Sequence, residues 1–150
     1  MIKIISGGKK NAPEYEVLIG EYQKRCKKPF DFSFEFHEEE KLAKLLEKWD
    51  FASRDFIILA DERGKNLSSP EFSKLLEKNF NSSKNIIIII GGAYGVSEET
   101  RKKADFIWSF SNLVFPHQLA RLIVSEQIYR AQEISRGGNY HHLWKKSLTF

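Results

Sequence analysis

Proton-transfer chemistry is available to a group of titratable side chains near the end of the chain. Glu126 and Arg130 lie four residues apart in a helical pattern, and Tyr140 and His141 follow it. Phenol and imidazole groups stack on nucleic-acid bases, and an imidazole also exchanges protons near neutral pH. The Glu126–Arg130 spacing is typical of an ion pair on one helix face, and it equally suits a basic group directed at RNA phosphate. Both interpretations stay open on the sequence.

A second candidate site is a glycine-rich turn that follows a strongly apolar stretch. Five consecutive isoleucines, residues 86–90, precede Gly91, Gly92 and Gly95. An apolar run without alternation predicts a strand covered on both faces, as in a parallel sheet. Glycine lets the backbone approach a ligand closely, and ligands of open α/β sheets lie just beyond such strand ends. The alternative is that these glycines only make a tight strand-to-helix turn.

The third candidate is the segment 111–116, which is predicted to be a loop between a strand and a helix. Its backbone N–H and C=O groups need partners, and a ligand could supply some of them. The sequence has no G-x-x-x-x-G-K-[ST], G-x-G-x-x-G or G-x-S-x-G motif and no His/Cys cluster with metal-ligand spacing. No Asp or Glu ends the preceding strand, so a nucleoside bound here would be held mostly by backbone groups.

These candidates must be positioned by an alternating series of strands and helices. Strand patterns are predicted at 2–6, 32–37, 55–60, 86–90 and 106–110, and helical patterns lie between them and after the last. This alternation predicts an α/β fold with a mainly parallel sheet flanked by helices. Clean alternation at 32–37 predicts a half-exposed edge strand. Ser68 and Glu71 have the spacing of a capping box at a helix start.

Several local expectations accompany this fold. Residues 61–65 are expected to follow the third strand, and 79–85 are expected to form a polar loop. The first helix is predicted to have one apolar stripe, made of Tyr15, Leu18, Ile19, Tyr22 and Cys26.

The predicted last helix, residues 117–136, is apolar on more than one side. Leu119 and Leu122 lie on a different face from Val124 and Ile128. A helix apolar on two sides is buried on two sides, and a chain of 150 residues does not easily bury both alone. The pattern therefore predicts a homodimer that packs through this helix.

Composition indicates an ordinary globular protein. The chain has 150 residues, 41% hydrophobic residues and a formal net charge of +4, which fits one domain spanning 1–150 with a tail at 139–150. Its one cysteine, Cys26, excludes an internal disulfide and is expected in the core. No signal or membrane-spanning pattern is present, so we expect a soluble cytoplasmic protein outside the membrane.

Positive charge is concentrated at the end of the first predicted helix, in Lys24, Arg25, Lys27 and Lys28. Cations at a helix C-terminus interact favourably with the helix dipole. The functional alternative is a surface that contacts phosphate. The sequence slightly favours the first interpretation, because such residues are common at helix ends.

Specific sequence motifs resemble the RlmH family of ribosomal RNA large-subunit methyltransferases, which belongs to the SPOUT class. The most specific motifs are FPHQLARL at 115–122 and EQIYRA at 126–131. Further similarity lies at EYQKR (21–25), DERGK (61–65), GGAYG (91–95), Phe110-Ser111 and Tyr140-His141. The resemblance covers the chain from Met1 to His142.

The resemblance implies a trefoil knot in the C-terminal half and a homodimer packed through the last helix. It implies that S-adenosylmethionine is the methyl donor and that no metal is required. The substrate implied is a pseudouridine of 23S rRNA in the assembled ribosome, methylated at ring N3. The donor-binding residues it implies, largely through their backbone groups, are Leu59, Ala60, Gly91, Gly92, Ser111, Asn112, Leu113, Val114, Phe115 and Pro116.

The resemblance also assigns roles to the titratable group. His141, with Tyr140, is expected to handle the N3 proton or to orient the base, and Arg130 and Glu126 are expected to position the target or brace the tail. Asn139, His142 and the extension 143–150 depart from the family's usual ending. That extension is either an additional rRNA contact, through Trp144, Lys145 and Lys146, or a frayed end. The alternative function is a non-catalytic RNA- or ribosome-binding module, and a weaker alternative is methylation of a different base.

Overall fold

Five strands and five helices alternate along the part of the chain that the computed structural model describes, residues 1–92 and 95–142. The strands are β1 Ile2–Gly7, β2 Phe32–His37, β3 Asp55–Asn66, β4 Asn85–Ile90 and β5 Phe106–Ser109. The helices are α1 Pro13–Arg25, α2 Glu39–Lys48, α3 Ser69–Asn81, α4 Glu98–Lys103 and α5 His117–Ser135. Across the two described ranges, none of these helices is long and apolar enough to cross a lipid bilayer.

The strands form one sheet in the order β2-β1-β4-β3-β5. Every neighbouring pair is parallel, so the carboxyl ends of all five strands lie along the same edge. The predicted parallel α/β sheet is therefore confirmed, and β2 lies at an edge as its alternating pattern indicates. Ligands of such folds bind beyond the carboxyl edge, which is where the two predicted ligand-binding loops begin, after β4 and after β5.

The isoleucine strand is buried from both sides of the sheet. Ile86, Ile88 and Ile90 pack into one core with α1, α3 and α5. Ile87 and Ile89 pack into a second core with α2. Alternate side chains of a strand point to opposite faces, so the unbroken apolar run supplies both cores at once.

Two predictions about helix ends are confirmed, the capping box at the start of α3 and the burial of Cys26 after α1. Ser68 and Glu71 form the capping box, with the Ser68 Oγ accepting from the Glu71 N–H at 3.2 Å and the Glu71 carboxylate accepting from the Ser68 N–H at 2.7 Å. Cys26 is buried in the first core. Burial, followed by the nearby acidic charges, raises the pKa of its thiol to about 12, which makes it unreactive as a nucleophile.

Three local expectations were wrong. Strand β3 continues to Asn66 because it pairs with β5 a second time, at Lys65 and Asn66, after an irregularity that begins at Ala60. Helix α3 continues to Asn81, because Asn79 is buried and donates to the Leu75 carbonyl within the helix. Leu18 is 49% exposed, since the face of α1 that packs on the core is centred on Ile19.

Candidate active site

A cavity of about 890 Å³ lies at the carboxyl edge of the sheet. Three adjacent strands contribute to its lining, through Ala60 of β3, Ile90 of β4 and Trp108 of β5. Eight of the ten predicted donor-binding residues line this cavity: Ala60, Gly91, Gly92, Ser111, Leu113, Val114, Phe115 and Pro116. The geometry therefore brings the two predicted loops together around one concave space, of the size that small-molecule sites have.

Two of the predicted donor-binding residues do not line the cavity. Leu59 is buried in the second core between β3 and α2. Asn112 is exposed in the same loop as the residues that do line it. Leu59 could therefore contribute only through its backbone, since its side chain is used for packing.

The loop after β5 is held by hydrogen bonds within its own first turn. The Ser109 hydroxyl donates to the Ser111 carbonyl at 2.9 Å, and the Ser111 hydroxyl accepts from the Leu113 N–H at 3.0 Å. The Asn66 amide donates to the Ser109 carbonyl at 2.9 Å. These contacts leave Leu113 and Val114 67% and 78% exposed at the mouth of the cavity.

The glycine turn after β4 closes on itself. Gly95 has φ of 74° and donates its N–H to the Gly92 carbonyl at 3.0 Å. A Cβ on Gly91 would lie 3.1 Å from Val96 Cγ1, and one on Gly92 would lie 2.5 Å from Glu39 Cγ. The turn therefore requires glycine for both conformation and close approach. Ala93 and Tyr94, which belong to the same motif, lie outside the described residues.

The rim of the cavity carries an ionic network. Asp61, whose carboxylate pairs with Arg101 and with Arg63, lines the cavity. Burial acts to raise the pKa of Asp61, but the hydrogen bonds from Arg63 and the charge of Arg101 hold that pKa below its ordinary value. Glu98 approaches both arginines, at 3.6 Å and 3.9 Å. Sequence reasoning assigned no such role to these residues.

The four predicted catalytic residues form one cluster at the other end of α5. Arg130 donates to Glu126 Oε1 at 2.8 Å, and its Nη1 lies 3.1 Å from His141 Nδ1. The Tyr140 hydroxyl donates to the same Glu126 oxygen at 3.1 Å, and the Arg130 guanidinium stacks 4.8 Å from the Tyr140 ring. Burial, hydrogen bonding with Tyr22 and the charge of Glu126 raise the pKa of Tyr140, so its phenol remains protonated.

A tight reversal after α5 returns the tail to that helix. Gly137 has φ of 71°, and Gly138 donates its N–H to the Glu133 carbonyl at 2.8 Å. The chain then brings Tyr140 against Tyr129, with ring centroids 4.7 Å apart. The extension 143–150, predicted as an additional contact or a frayed end, lies outside the described residues.

The cluster and the cavity are separate within one chain. None of its four members is among the described residues that line the cavity. Ala120 lines the cavity, and Arg130 lies ten residues further along α5, which corresponds to about 15 Å of helix. One helix thus carries a ligand cavity near its beginning and a network of titratable side chains near its end.

Comparison with known proteins identifies the family. A family described as "Predicted SPOUT methyltransferase" matches residues 1–141. The chain belongs to this family.

Two relatives show how complete the similarity of this SPOUT methyltransferase is. The "Ribosomal RNA large subunit methyltransferase H" of Caldicellulosiruptor bescii is 42% identical, with 94% of this chain and 99% of the relative covered. The protein of the same name from Christiangramia forsetii is 38% identical, covering 94% and 98%. Because 94% of this chain is aligned, the aligned span includes the glycine turn, the loop after β5 and α5.

A solved structure supports the fold. It is described as a probable methylase family protein from Haemophilus influenzae Rd KW20, with a TM-score of 0.54 and 14% sequence identity. The match covers 91% of this chain and 66% of that one. At this identity the likeness concerns the fold alone.

Sequence reasoning gave no role to Arg121, although this SPOUT methyltransferase buries it completely. Its guanidinium donates to the Ser6 hydroxyl at 2.7 Å and, at 2.8 Å each, to the Gly7 carbonyl, the Lys9 carbonyl and Asn11 Oδ1. These hydrogen bonds therefore anchor α5 to the carboxyl end of β1. The signal was present, because Arg121 shares a helical face with Val124 and Ile128, where burial is expected.

Proposed function

We propose that this chain transfers the methyl group of S-adenosylmethionine to N3 of a pseudouridine in 23S rRNA of the assembled ribosome. The observation that carries the proposal is the similarity, over 94% of this chain and 99% of the relative, to a protein named for methylation of large-subunit ribosomal RNA. The donor and the target atom are those that the motifs at 91–95, 115–122 and 126–131 imply.

The cavity suits this donor. S-adenosylmethionine combines an adenosine with a cationic amino-acid chain, so it needs apolar walls, backbone polar groups and nearby negative charge. Phe115 and Pro116 supply apolar surface, and Gly91 and Gly92 supply exposed backbone. Asp61 and Glu62 place carboxylates at the rim. When bound, the donor supplies an electrophilic methyl group, whose C–S bond breaks as the bond to N3 forms.

The proposal includes one domain over the whole chain and a trefoil knot in its C-terminal half. The glycine turn at 91–95 and the loop at 111–116 both line the cavity. A knot built from these segments would hold both loops against the donor. Its support is the family assignment, because unknotted connections are the default in proteins.

We infer a homodimer from the outer face of α5. Leu119, Ile123, Glu126 and Arg130 recur with the spacing of one helix face, and all four are only half-buried. Leu113 and Val114 add exposed apolar surface at the mouth of the cavity. This surface is the one that a second copy would cover.

A dimer of this kind would complete the site. A two-fold axis that crosses α5 near Ile123 sets the two helices antiparallel, so each Arg130 faces the beginning of the partner helix. The cavity of one copy then lies beside the cluster of the other. The separation of about 15 Å within one chain is the reason a second copy is needed.

His141 acts in this proposal as a hydrogen-bond donor to the target base. Arg130 can only donate, so His141 Nδ1 accepts, and a neutral imidazole then carries its hydrogen on Nε2. That Nε2 is buried and has no hydrogen-bond partner among the described residues. When the target base displaces the groups that cover Nε2, a donor there would bind a carbonyl oxygen next to N3 and stabilise the negative charge that develops as the N3 proton passes to solvent. Of the two predicted roles, orientation of the base therefore has the stronger support.

Glu126, Arg130 and Tyr140 hold His141 in that tautomer. Glu126 accepts hydrogen bonds from both Arg130 and Tyr140. The hydrogen bond to Glu126 orients the Arg130 guanidinium so that its Nη1 lies next to His141 Nδ1. The raised pKa of Tyr140 keeps its hydroxyl a donor at neutral pH. These three residues are positioning residues, since their polar groups contact one another and His141.

The test is methyl transfer to ribosomes. The protein is incubated with methyl-labelled S-adenosylmethionine and with bacterial ribosomes that lack the modification, and the rRNA is digested for mass spectrometry. We expect label on a pseudouridine of 23S rRNA, at N3. Saturable binding to ribosomes with no transferred label would support the binding-module alternative, and label on another base would identify a different target.

A further inference from the structure

Four basic residues lie close together in sequence where α1 ends. They are Lys24, Arg25, Lys27 and Lys28. All four are exposed at the end of α1. We refer to these four residues as the basic surface.

The helix dipole does not explain the whole basic surface. Helix α1 ends at Arg25, and the dipole effect falls off within the last turn. Lys27 and Lys28 lie beyond that end. Glu21 approaches Lys24 and Arg25 only at 3.5 Å and 3.8 Å, which are weak exposed contacts.

The backbone of the basic surface is fixed to α5 by a buried glutamine. Gln132, 4% exposed, accepts from the Lys27 N–H at 2.6 Å and donates to the Arg25 carbonyl at 3.0 Å. Cys26, between them, is packed in the core. The lysines are therefore presented from a rigid segment, and little conformational entropy of the backbone is lost when they bind a ligand.

The basic surface adjoins the cluster of titratable residues. Tyr22, three residues before Arg25 on α1, hydrogen-bonds with Tyr140 of the cluster. Tyr22 of α1 packs on Tyr129, with ring centroids 5.8 Å apart, and Tyr129 packs on Tyr140. A nucleotide whose base lies at His141 would have its neighbouring phosphates within reach of α1.

We propose that the basic surface binds the RNA phosphate backbone beside the target nucleotide, while the cluster holds the base. This inference rests on the proposed function for its substrate. Phosphate contacts supply affinity without sequence information, and a rigid set of cations next to the base site suits that task. The donor cavity takes no part in these contacts, so donor binding and RNA binding should separate in experiments.

The test compares three full-length triple variants. The first removes charge from the basic surface with Lys24→Gln, Lys27→Gln and Lys28→Gln. The matched control removes three exposed lysines from α2, on the opposite face of the sheet, with Lys41→Gln, Lys44→Gln and Lys48→Gln. The third replaces Lys24, Lys27 and Lys28 by arginine and so preserves the charge. Binding to bacterial ribosomes is measured from 50 to about 200 mM salt, and donor binding by calorimetry.

We expect the first variant to bind ribosomes on the order of 10-fold more weakly and to lose about 2 units of the slope of log K against log salt. The control and the arginine variant should bind as the unaltered protein, and all variants should keep donor affinity. Equal weakening of the control would overturn the inference, because net charge alone would then explain the effect. Unchanged binding of the first variant would also overturn it.

Two further experiments distinguish failure of this inference from failure of the proposed function. The comparison is repeated with protein-free large-subunit rRNA, where the same difference is expected. If the unaltered protein binds the free rRNA and the first variant binds it equally well, the inference is overturned, since a difference confined to intact ribosomes would then indicate a ribosomal protein as the partner. If the unaltered protein binds rRNA through this surface but transfers no methyl group, the proposed function fails while the surface assignment stands.

Discussion

The cavity and the cluster differ in the chemical groups that they present. The cavity is lined by glycine backbone and apolar loop residues such as Gly91 and Phe115, with charge only at its rim. The cluster is a set of side-chain hydrogen bonds that converge on Arg130 and His141. The first arrangement suits a ligand that must be held in place, and the second suits a base whose charge changes during reaction.

This difference shows which substitutions should affect binding and which should affect turnover. If the cavity binds its ligand through backbone groups, its affinity should fall when side-chain volume is added and should change little when a side-chain charge is removed. If the cluster acts through one tautomer of His141, turnover should fall when one of its hydrogen bonds is lost. Helix α5 joins the two regions, so a change in its anchoring should alter both.

The largest expected effect is on turnover. His141→Ala should lower methyl transfer by about 100-fold or more, because it removes the donor proposed to stabilise charge on the base. Donor affinity, measured by calorimetry, should stay within about twofold, since His141 lies outside the cavity. His142→Ala is the matched control and should retain turnover. Equal loss of donor binding in His141→Ala would contradict the separation of the two regions.

Anchoring of α5 is the next largest effect. Arg121→Leu should destabilise the protein by about 3 kcal/mol, because the buried polar groups that Arg121 contacts on β1 and the following loop lose their donor. Urea unfolding measures the change. The exposed Arg54 provides the control, and Arg54→Leu should change stability by less than about 0.5 kcal/mol. Similar values for both variants would mean that the buried hydrogen bonds contribute little.

Added volume at the glycine turn should weaken donor binding. Gly91→Val should raise the dissociation constant for S-adenosylmethionine by about 10-fold or more, since the added Cβ would lie 3.1 Å from Val96 Cγ1 and the valine methyl groups would have to displace the turn. Gly20→Val is the control, because nothing lies within 4 Å of a Cβ there. An unchanged dissociation constant for Gly91→Val would place the donor elsewhere.

Gly92 is a poorer choice for the same test. Its Cβ would lie 2.5 Å from Glu39 Cγ, so a valine there would press on α2. A loss of donor binding in Gly92→Val would therefore mix a change in the cavity with a change in packing. Gly91 separates these effects better.

The smallest expected effect concerns the pH dependence of the cavity rim. The pKa of Asp61 in the folded protein is below its ordinary value of 3.8, so its contribution to stability is present above that value and is lost as the pH falls through the folded pKa. Asp61→Asn should cost about 1 kcal/mol near pH 7 and nothing at a pH below the folded pKa. Thermal unfolding at both pH values measures this, and an equal cost at both would show that the charge of Asp61 is not involved.

Much of the fold could be predicted because its signals are local. The isoleucine run, the alternation in β2 and the capping box at Ser68 each depend on neighbours in sequence. The extension of β3 to Asn66 could not be predicted, because it depends on pairing with β5 about forty residues away. Gly64 is a local feature connected with that pairing: β3 and β5 approach so closely that a Cβ on residue 64 would lie 2.5 Å from the Ile107 carbonyl oxygen.

The site could be predicted only in part for a related reason. The glycine turn and the loop at 111–116 both follow strands, and parallel topology brings strand ends together. The tautomer of His141 depends on a contact with Arg130 across the reversal at Gly137. The role of Gln132 in fixing the basic surface needs the packing of α1 against α5. Spacing in the sequence contains none of these contacts.

Activity in mixed dimers shows most directly whether the cavity of one copy works with the cluster of another. Gly91→Val and His141→Ala proteins are unfolded together, refolded together and assayed for methyl transfer to ribosomes at a donor concentration low enough that each variant alone has little activity. Random pairing should restore about a quarter of the unaltered activity, since half of the dimers then contain one intact composite site. A mixture that forms dimers and remains inactive would contradict the claim, because both residues would then be needed within the same chain.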